Sequence, residues 1–218
     1  MLFDLRGRGR RRTVQGVYLG LALLIGGGLV LFGVGTGTGG GGLLNGIGGS
    51  GGNQSQVVSA QEKSALTAVK KNPNSAAAWS QLVQARWTTA TSSDYNQATG
   101  TFTAAGRKEL IRLTQAWQRY LTLTKSPDSN TAILAARAYS RLGNYSGQAG
   151  AWQAITLKDP SNSTAFQCLA VSAYAAKQNR LGDLAMAKAL ALAPKAQRAT
   201  LKTQIAAAKT QPTIAQQC

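Results

Sequence analysis

Arg137 and Arg141 stand four residues apart, the spacing that brings two guanidinium groups onto one face of a helix. Such a pair can grip a carboxylate or an acidic segment through charge-assisted, forked hydrogen bonds. A solvated helix face accounts for the same spacing, so the surrounding chain must decide between the two. Chemistry of other kinds is poorly supplied. The chain has no histidine, which removes the usual general base near neutral pH and the commonest metal ligand. Its seven acidic residues, Asp4, Glu62, Asp94, Glu109, Asp128, Asp159 and Asp183, are scattered, so a paired-carboxylate site is hard to assemble. There is no P-loop, no Gly-x-Ser-x-Gly and no Cys-x-x-Cys. The expectation is a non-enzymatic protein with no catalytic residues, no metal and no cofactor.

Charge narrows the partners. The 218 residues carry a formal charge of +17. Beyond residue 13 there are 19 basic and six acidic side chains, a net +13. A basic domain can hold anionic lipid, acidic polymer or nucleic acid. The lysines and arginines are dispersed rather than gathered with aromatics, which argues against nucleic acid and for a solubilising surface. Two cysteines, Cys168 and Cys218, are too few for a disulfide scaffold. Cys168 lies in an apolar helical run and reads as a small buried side chain, with Cys218 a free thiol. Outside the cytoplasm the two could instead pair and tie down the last residues.

The compartment follows from the first 34 residues. Five arginines between Arg6 and Arg12 precede an uncharged apolar run, Val14 to Val34, of 21 residues. As a helix it spans roughly 31 Å, about the thickness of a bilayer's hydrocarbon core. A cleaved signal has a shorter apolar region and a small-x-small cleavage site, so a retained anchor is expected. The arginines stay on the cytoplasmic side. That gives a basic cytoplasmic tail over 1–13, a transmembrane helix over 14–34 and an extracytoplasmic remainder. The span contains Gly16, Gly20, Gly26, Gly27 and Gly28. Gly16 and Gly20 share a helix face and would let a second helix approach closely, as in docking onto a membrane partner or a second copy of the chain. Glycine is also simply common in such helices.

Glycine dominates 35–56, which reads as a flexible tether with a reach on the order of 25 Å. From residue 57 the texture changes to alanine, leucine, glutamine and lysine, with apolar residues three and four apart. This predicts a string of amphipathic helices. Prolines punctuate it at Pro73, Pro127, Pro160 and Pro194, the last three at intervals of 33 and 34. Within the intervals, "NTAILAARAYSRLGNYSGQAGAWQAITLKDP" offers Ala136, Ala138 and Tyr139 before a turn at Gly143, then Trp152 and the closing Pro160. "STAFQCLAVSAYAAKQNRLGDLAMAKALALAP" repeats the design with Phe166, Leu169, Ala170, Ala185, Met186 and Ala189.

On these residues the stretch 57–209 resembles the tetratricopeptide-repeat family, an array of helix-turn-helix units. The expected fold is all-α: one transmembrane helix, a linker and an α-solenoid of stacked helical hairpins. Pro73 and Pro127 are 54 apart, so the first unit carries an insertion around 88–106, expected as a long polar loop from Thr88 to Thr101. "KAQRATLKTQIAAAKT" reads as a solvent-facing capping helix, and 210–218 as a C-terminal tail.

The resemblance implies a concave surface lined by the first helix of each unit, where such domains bind peptides or protein segments. Matching positions give Ser80, Gln84, Trp87, Asn130, Arg137, Arg141, Gln167 and Tyr174 as groove-facing residues. Trp87 and Tyr174 are candidate platforms for a peptide, or packing residues. The implied protein is a membrane-anchored adaptor that binds proteins or peptides on the extracytoplasmic face of a bacterial membrane. An inside N-terminus, one span and an external repeat domain also resemble the architecture of the ancillary subunit of the Sec translocon, which makes that translocon one candidate for the membrane partner. The alternative is a structural organiser of the cell envelope whose basic domain holds anionic wall polymer or lipid.

Overall fold

The computed structural model of the chain describes residues 52–218. The proposed cytoplasmic tail, the span with its glycines and most of the tether lie outside the described residues. Among the described residues no helix is long and apolar enough to cross a membrane.

The described residues are almost entirely helical. Helices α1 (Gly52–Lys71), α2 (Ala76–Ser93), α3 (Ala104–Leu123), α4 (Ser129–Arg141), α5 (Tyr145–Lys158), α6 (Ser163–Ala175), α7 (Asn179–Leu192) and α8 (Arg198–Ala207) follow in order. Short 3-10 turns occupy Lys195–Gln197 and Pro212–Gln217. Four of the five prolines fall between helices, where a residue with no N–H and a restricted predecessor ends one helix and spaces the next.

Local chemistry explains the helix starts. Ser75, Thr103, Asp128, Asn144 and Asn162 each precede a helix and accept a hydrogen bond from the backbone N–H three residues on. Each such cap satisfies one orphan donor and is worth about 1 kcal/mol. The α4–α5 and α6–α7 turns share one design. Asn144 N–H bonds back to the Tyr139 carbonyl, and Gln178 N–H to that of Ala173. The left-handed residue this requires is Gly143 in the first turn and Lys177 in the second, φ +72° and +62°. Glycine takes that conformation freely, whereas lysine adopts it at a steric cost.

Packing is mainly between sequence neighbours. Helix α2 lies along α3, α4 along α5, α5 along α6 and α6 along α7, while α4 also touches α2 and α6 touches α8. Alanines at 132, 135, 136, 138, 149, 151, 170 and 173 are buried and let the backbones approach closely. Trp117, Tyr120, Tyr139, Trp152 and Tyr174 fill the wider gaps.

Three expected boundaries differ. The polar stretch from Thr88 is not a loop throughout, because α2 continues to Ser93. Thr88, Thr89 and Thr91 turn their hydroxyls back onto carbonyls four residues earlier, which lets a polar run stay helical. Beyond Ser93 lies a small hairpin, with β1 (Tyr95–Asn96) antiparallel to β2 (Thr101–Phe102) and the rings of Tyr95 and Phe102 4.9 Å apart. The helical region begins at Gly52, inside the expected tether. The residues 210–218 are not a loose tail. Ala215 is fully buried, and Pro212–Gln217 packs on α6 and α4.

Candidate functional site

Helices α2, α4 and α6 each open a helix pair, and the residues they turn away from their partners form the candidate surface. On α4, Arg137 and Arg141 are both exposed and make no ion pair among the described residues. They line a cavity of about 280 Å³ together with Trp87, Ser140 and the end of the chain, Gln216 to Cys218. Trp87 is half-buried there, packed against the core. Ser140 is buried in the same wall, and its hydroxyl has no hydrogen-bond partner. Three residues expected on one surface, Trp87, Arg137 and Arg141, are therefore brought together.

A larger cavity, about 660 Å³, adjoins α6. Gln167 lines it, with Thr164 and Val171 from the same helix, Thr203 and Gln204 from α8, and Gln211, Gln217 and Cys218. Its wall is amide, hydroxyl and methyl, with no charged side chain. Gln217 and Cys218 border both cavities.

The remaining expected residues sit elsewhere. Gln84 is exposed but opens onto a shallow cavity with Gln61, Ser64 and Gln81, between α1 and α2. Asn130 is exposed at the start of α4. The Ser80 hydroxyl is 2.8 Å from that of Thr131, which in turn donates to the Asp128 carboxylate, so Ser80 joins α2 to the α4 cap. Tyr174 is fully buried and offers no platform to a peptide. Its ring covers Gly182, and its hydroxyl donates to Asp183. Burial pushes that phenol well above its ordinary value, and the adjacent Asp183 carboxylate adds to the rise.

No protein-family model and no curated protein matches this chain.

The feature that sequence reasoning left open is the bridge between Cys168 and Cys218. The two cysteines form a disulfide across a separation of 50 residues, with Cα atoms 5.6 Å apart. Cys168 is a buried side chain, as expected, but Cys218 is not the free thiol that was the first expectation. The only sequence signal was a second cysteine in a chain whose remainder is expected outside the cytoplasm. The bridge anchors the 212–218 segment on α6. A second anchor is Gln148 of α5, fully buried, whose Nε2 donates to the Ala215 carbonyl at 2.7 Å. At one edge, Gln216 Nε2 reaches the Tyr145 hydroxyl at 3.5 Å.

The carboxylates of the described residues are used in structure. Asp128 caps α4, and the N–H of Thr131 holds its carboxyl below the usual range, partly offset by burial. The Ser161 hydroxyl and N–H do the same for Asp159. Asp183 is held down first by the Tyr174 hydroxyl and then by Lys209. Glu62 accepts from Thr89 and faces Arg86, and Glu109 pairs with Arg112. Arg86 is itself partly buried, which lowers its ordinarily high pKa. Among the described residues no three His, Cys, Asp or Glu side chains gather as a metal site would require.

Proposed function

We propose that this chain is a non-enzymatic, membrane-anchored adaptor whose tetratricopeptide-repeat-like domain binds protein or peptide segments on the extracytoplasmic face of a bacterial membrane. The array reads as an α-solenoid of helical hairpins. Its first helices carry the binding face, and its N-terminal span and glycine tether hold it close to a membrane partner, with the Sec translocon as one candidate. The observation that carries the reading is that a short stretch of polypeptide, Pro212–Gln217, already rests on α4 and α6. A surface on α4 and α6 that holds one peptide, helped by the buried amide of Gln148 from the intervening α5, has the chemistry to hold another. The disulfide supports the compartment, since such bonds persist in oxidising surroundings outside the cytoplasm. The engagement of the carboxylates in caps and ion pairs supports a role without catalysis.

The test is photocrosslinking in intact membranes from probes placed at Gly20 and Arg137. Capture of translocon subunits at Gly20 and of exported chains at Arg137 is the expected result. Recovery of the mature protein free of membrane, or crosslinks to neither class, overturns it.

The excess of positive charge favours a second reading, an envelope organiser that holds anionic wall polymer or lipid. The two readings separate on salt. Polymer held by dispersed charges is released steeply as ionic strength rises, whereas a peptide seated on amides and apolar contacts is released little.

A further inference from the structure

We propose that the 212–218 segment is a resident occupant of the peptide face, latched there by the Cys168–Cys218 bridge, and that reducing the bridge opens the same seat to an uncharged peptide from another protein. The proposal rests on the reading of α4 and α6 as a peptide-binding face.

The segment occupies the face in the manner of a ligand. It comes from the far end of the sequence and rests on two helices that belong to successive hairpins. Its backbone is recognised by a side chain with no other partner, since Gln148 is fully buried and spends its Nε2 on the Ala215 carbonyl. The other end of that amide, Oε1, is buried and unpaired. So is the hydroxyl of Ser140, in the wall between Arg137 and the segment. Unmet groups also occur at Arg86, Glu109, Trp152 and Ser172, but these two belong to residues that bond the segment or share a cavity wall with it, where an occupant of the seat can meet them.

The seat also extends beyond its occupant. Gln217 and Cys218 border both the cavity of about 660 Å³ and the one of about 280 Å³. The larger is walled by Thr164, Gln167, Thr203, Gln204 and Gln211, groups that bond to a peptide backbone and offer nothing to a charge. The segment itself, "PTIAQQC", carries no charged side chain. The ligand class is therefore an extended or turn-forming peptide with small apolar, threonine and glutamine side chains.

The bridge controls access. Apart from it, the segment is held by the Gln148 bond, the long Gln216–Tyr145 contact and the burial of Ala215 with part of Ile214. A covalent tie keeps so short a segment in place at an effective concentration that no free peptide matches. Both cavities border Cys218, which is only partly buried, and this is the side from which a thiolate approaches the bridge. A dithiol, small or protein-borne, supplies the reaction. One thiolate attacks a sulfur of the bridge, the S–S bond breaks, and the departing sulfur takes up a proton. The second thiol of the reagent then closes its own disulfide and releases the other cysteine as a thiol. Two electrons pass to the bridge, and the dithiol leaves oxidised.

The experiment uses the full chain in detergent and a fluorescent peptide with the sequence of residues 210–218, serine replacing the last cysteine. Fluorescence anisotropy is recorded for the oxidised chain, the dithiothreitol-reduced chain and the Cys168→Ser/Cys218→Ser variant. Hydrogen exchange of 212–218 is followed in parallel, and circular dichroism checks that helix content is kept. The expected result is binding at least ten-fold tighter after reduction, with amides of 212–218 losing protection. Equal binding by the oxidised and reduced chains overturns the latch and leaves the peptide face standing. Persistent protection of 212–218 after reduction overturns the latch as well. Release of the segment with no binding of the probe by any form overturns both the seat and the peptide-face reading beneath it. If the double variant does not fold, the reduced wild-type chain decides alone.

Discussion

The ring of Tyr174 lies directly against the backbone of Gly182, so closely that a β-carbon at Gly182 would stand 2.5 Å from two ring atoms. Thirty-five residues earlier, Tyr139 covers Gly147 at the same 2.5 Å. In both hairpins a tyrosine near the end of the first helix closes over a glycine in the first turn of the second. The ring takes the space that a side chain would have filled, and the helices meet at backbone distance. This pairing holds Tyr174 in the core and away from any ligand.

Substitution Gly182→Ala therefore forces the ring or the helix to move. Overpacking of this kind costs about 1–3 kcal/mol, more than the ~1 kcal/mol that alanine gains over glycine in a helix. Gly150, in the middle of α5, has nothing within 4 Å of where its β-carbon would be. There Gly150→Ala stabilises by about 0.5–1 kcal/mol, since only the helix preference changes. Urea unfolding of the two variants should move in opposite directions. Equal shifts would remove the ring contact as the cause.

Asp128 supplies a pH-dependent contribution. Its carboxyl is held below its ordinary value chiefly by the Thr131 N–H it accepts. A depressed folded-state pKa gives stability that is complete above the unfolded value of about 3.9 and disappears as pH falls through the lower folded value. At pH 7 Asp128→Ala should cost about 1 kcal/mol, the worth of a helix N-cap. Thermal unfolding of wild type and variant should converge as pH is lowered through that range. A difference that persisted undiminished in acid would assign the loss to packing instead.

The bridge gives a graded prediction. Closing a loop of 50 residues is worth about 4 kcal/mol if the folded protein is unchanged by the cross-link. Where reduction also frees 212–218 in the folded state, the segment regains freedom there too, and the loss should be smaller, about 2 kcal/mol. Far-ultraviolet circular dichroism should change little, because the helices pack on one another rather than on the bridge. Guanidinium unfolding with and without dithiothreitol measures the difference.

Arg137 and Arg141 are exposed and unpaired among the described residues, so replacing both by alanine should alter stability by no more than about 0.5 kcal/mol each. If the face between Trp87 and the chain end takes up acidic or carboxylate-bearing segments, the same change should lower crosslinking from that face several-fold. Unaltered capture with unaltered stability would return the pair to an ordinary solvated surface.

Much of the helical order was legible from residue types alone. Ser75, Asp128, Asn144 and Asn162 are natural caps. Pro127, Pro160 and Pro194 mark the gaps between helices, and the three- and four-residue spacing of alanine and leucine predicts the buried faces. The misreadings have physical reasons. Thr88, Thr89 and Thr91 suggest a loop by type, yet each satisfies its hydroxyl on the preceding turn and stays helical. For Tyr174 the sequence leaves platform and packing open, and Gly182, eight residues on, decides for packing by drawing the ring inward.

What the sequence determined by itself is local: where helices start and stop, which of their faces are apolar, and the charge of the whole. Those properties depend on residues within a turn or two of one another. What only the tertiary structure decided is which distant residues meet. Cys168 finds Cys218, Gln148 finds the Ala215 carbonyl, and Trp87 shares a wall with Arg137 and Gln217. No local preference encodes these meetings, because each is set by the summed angles and offsets of all the helices between.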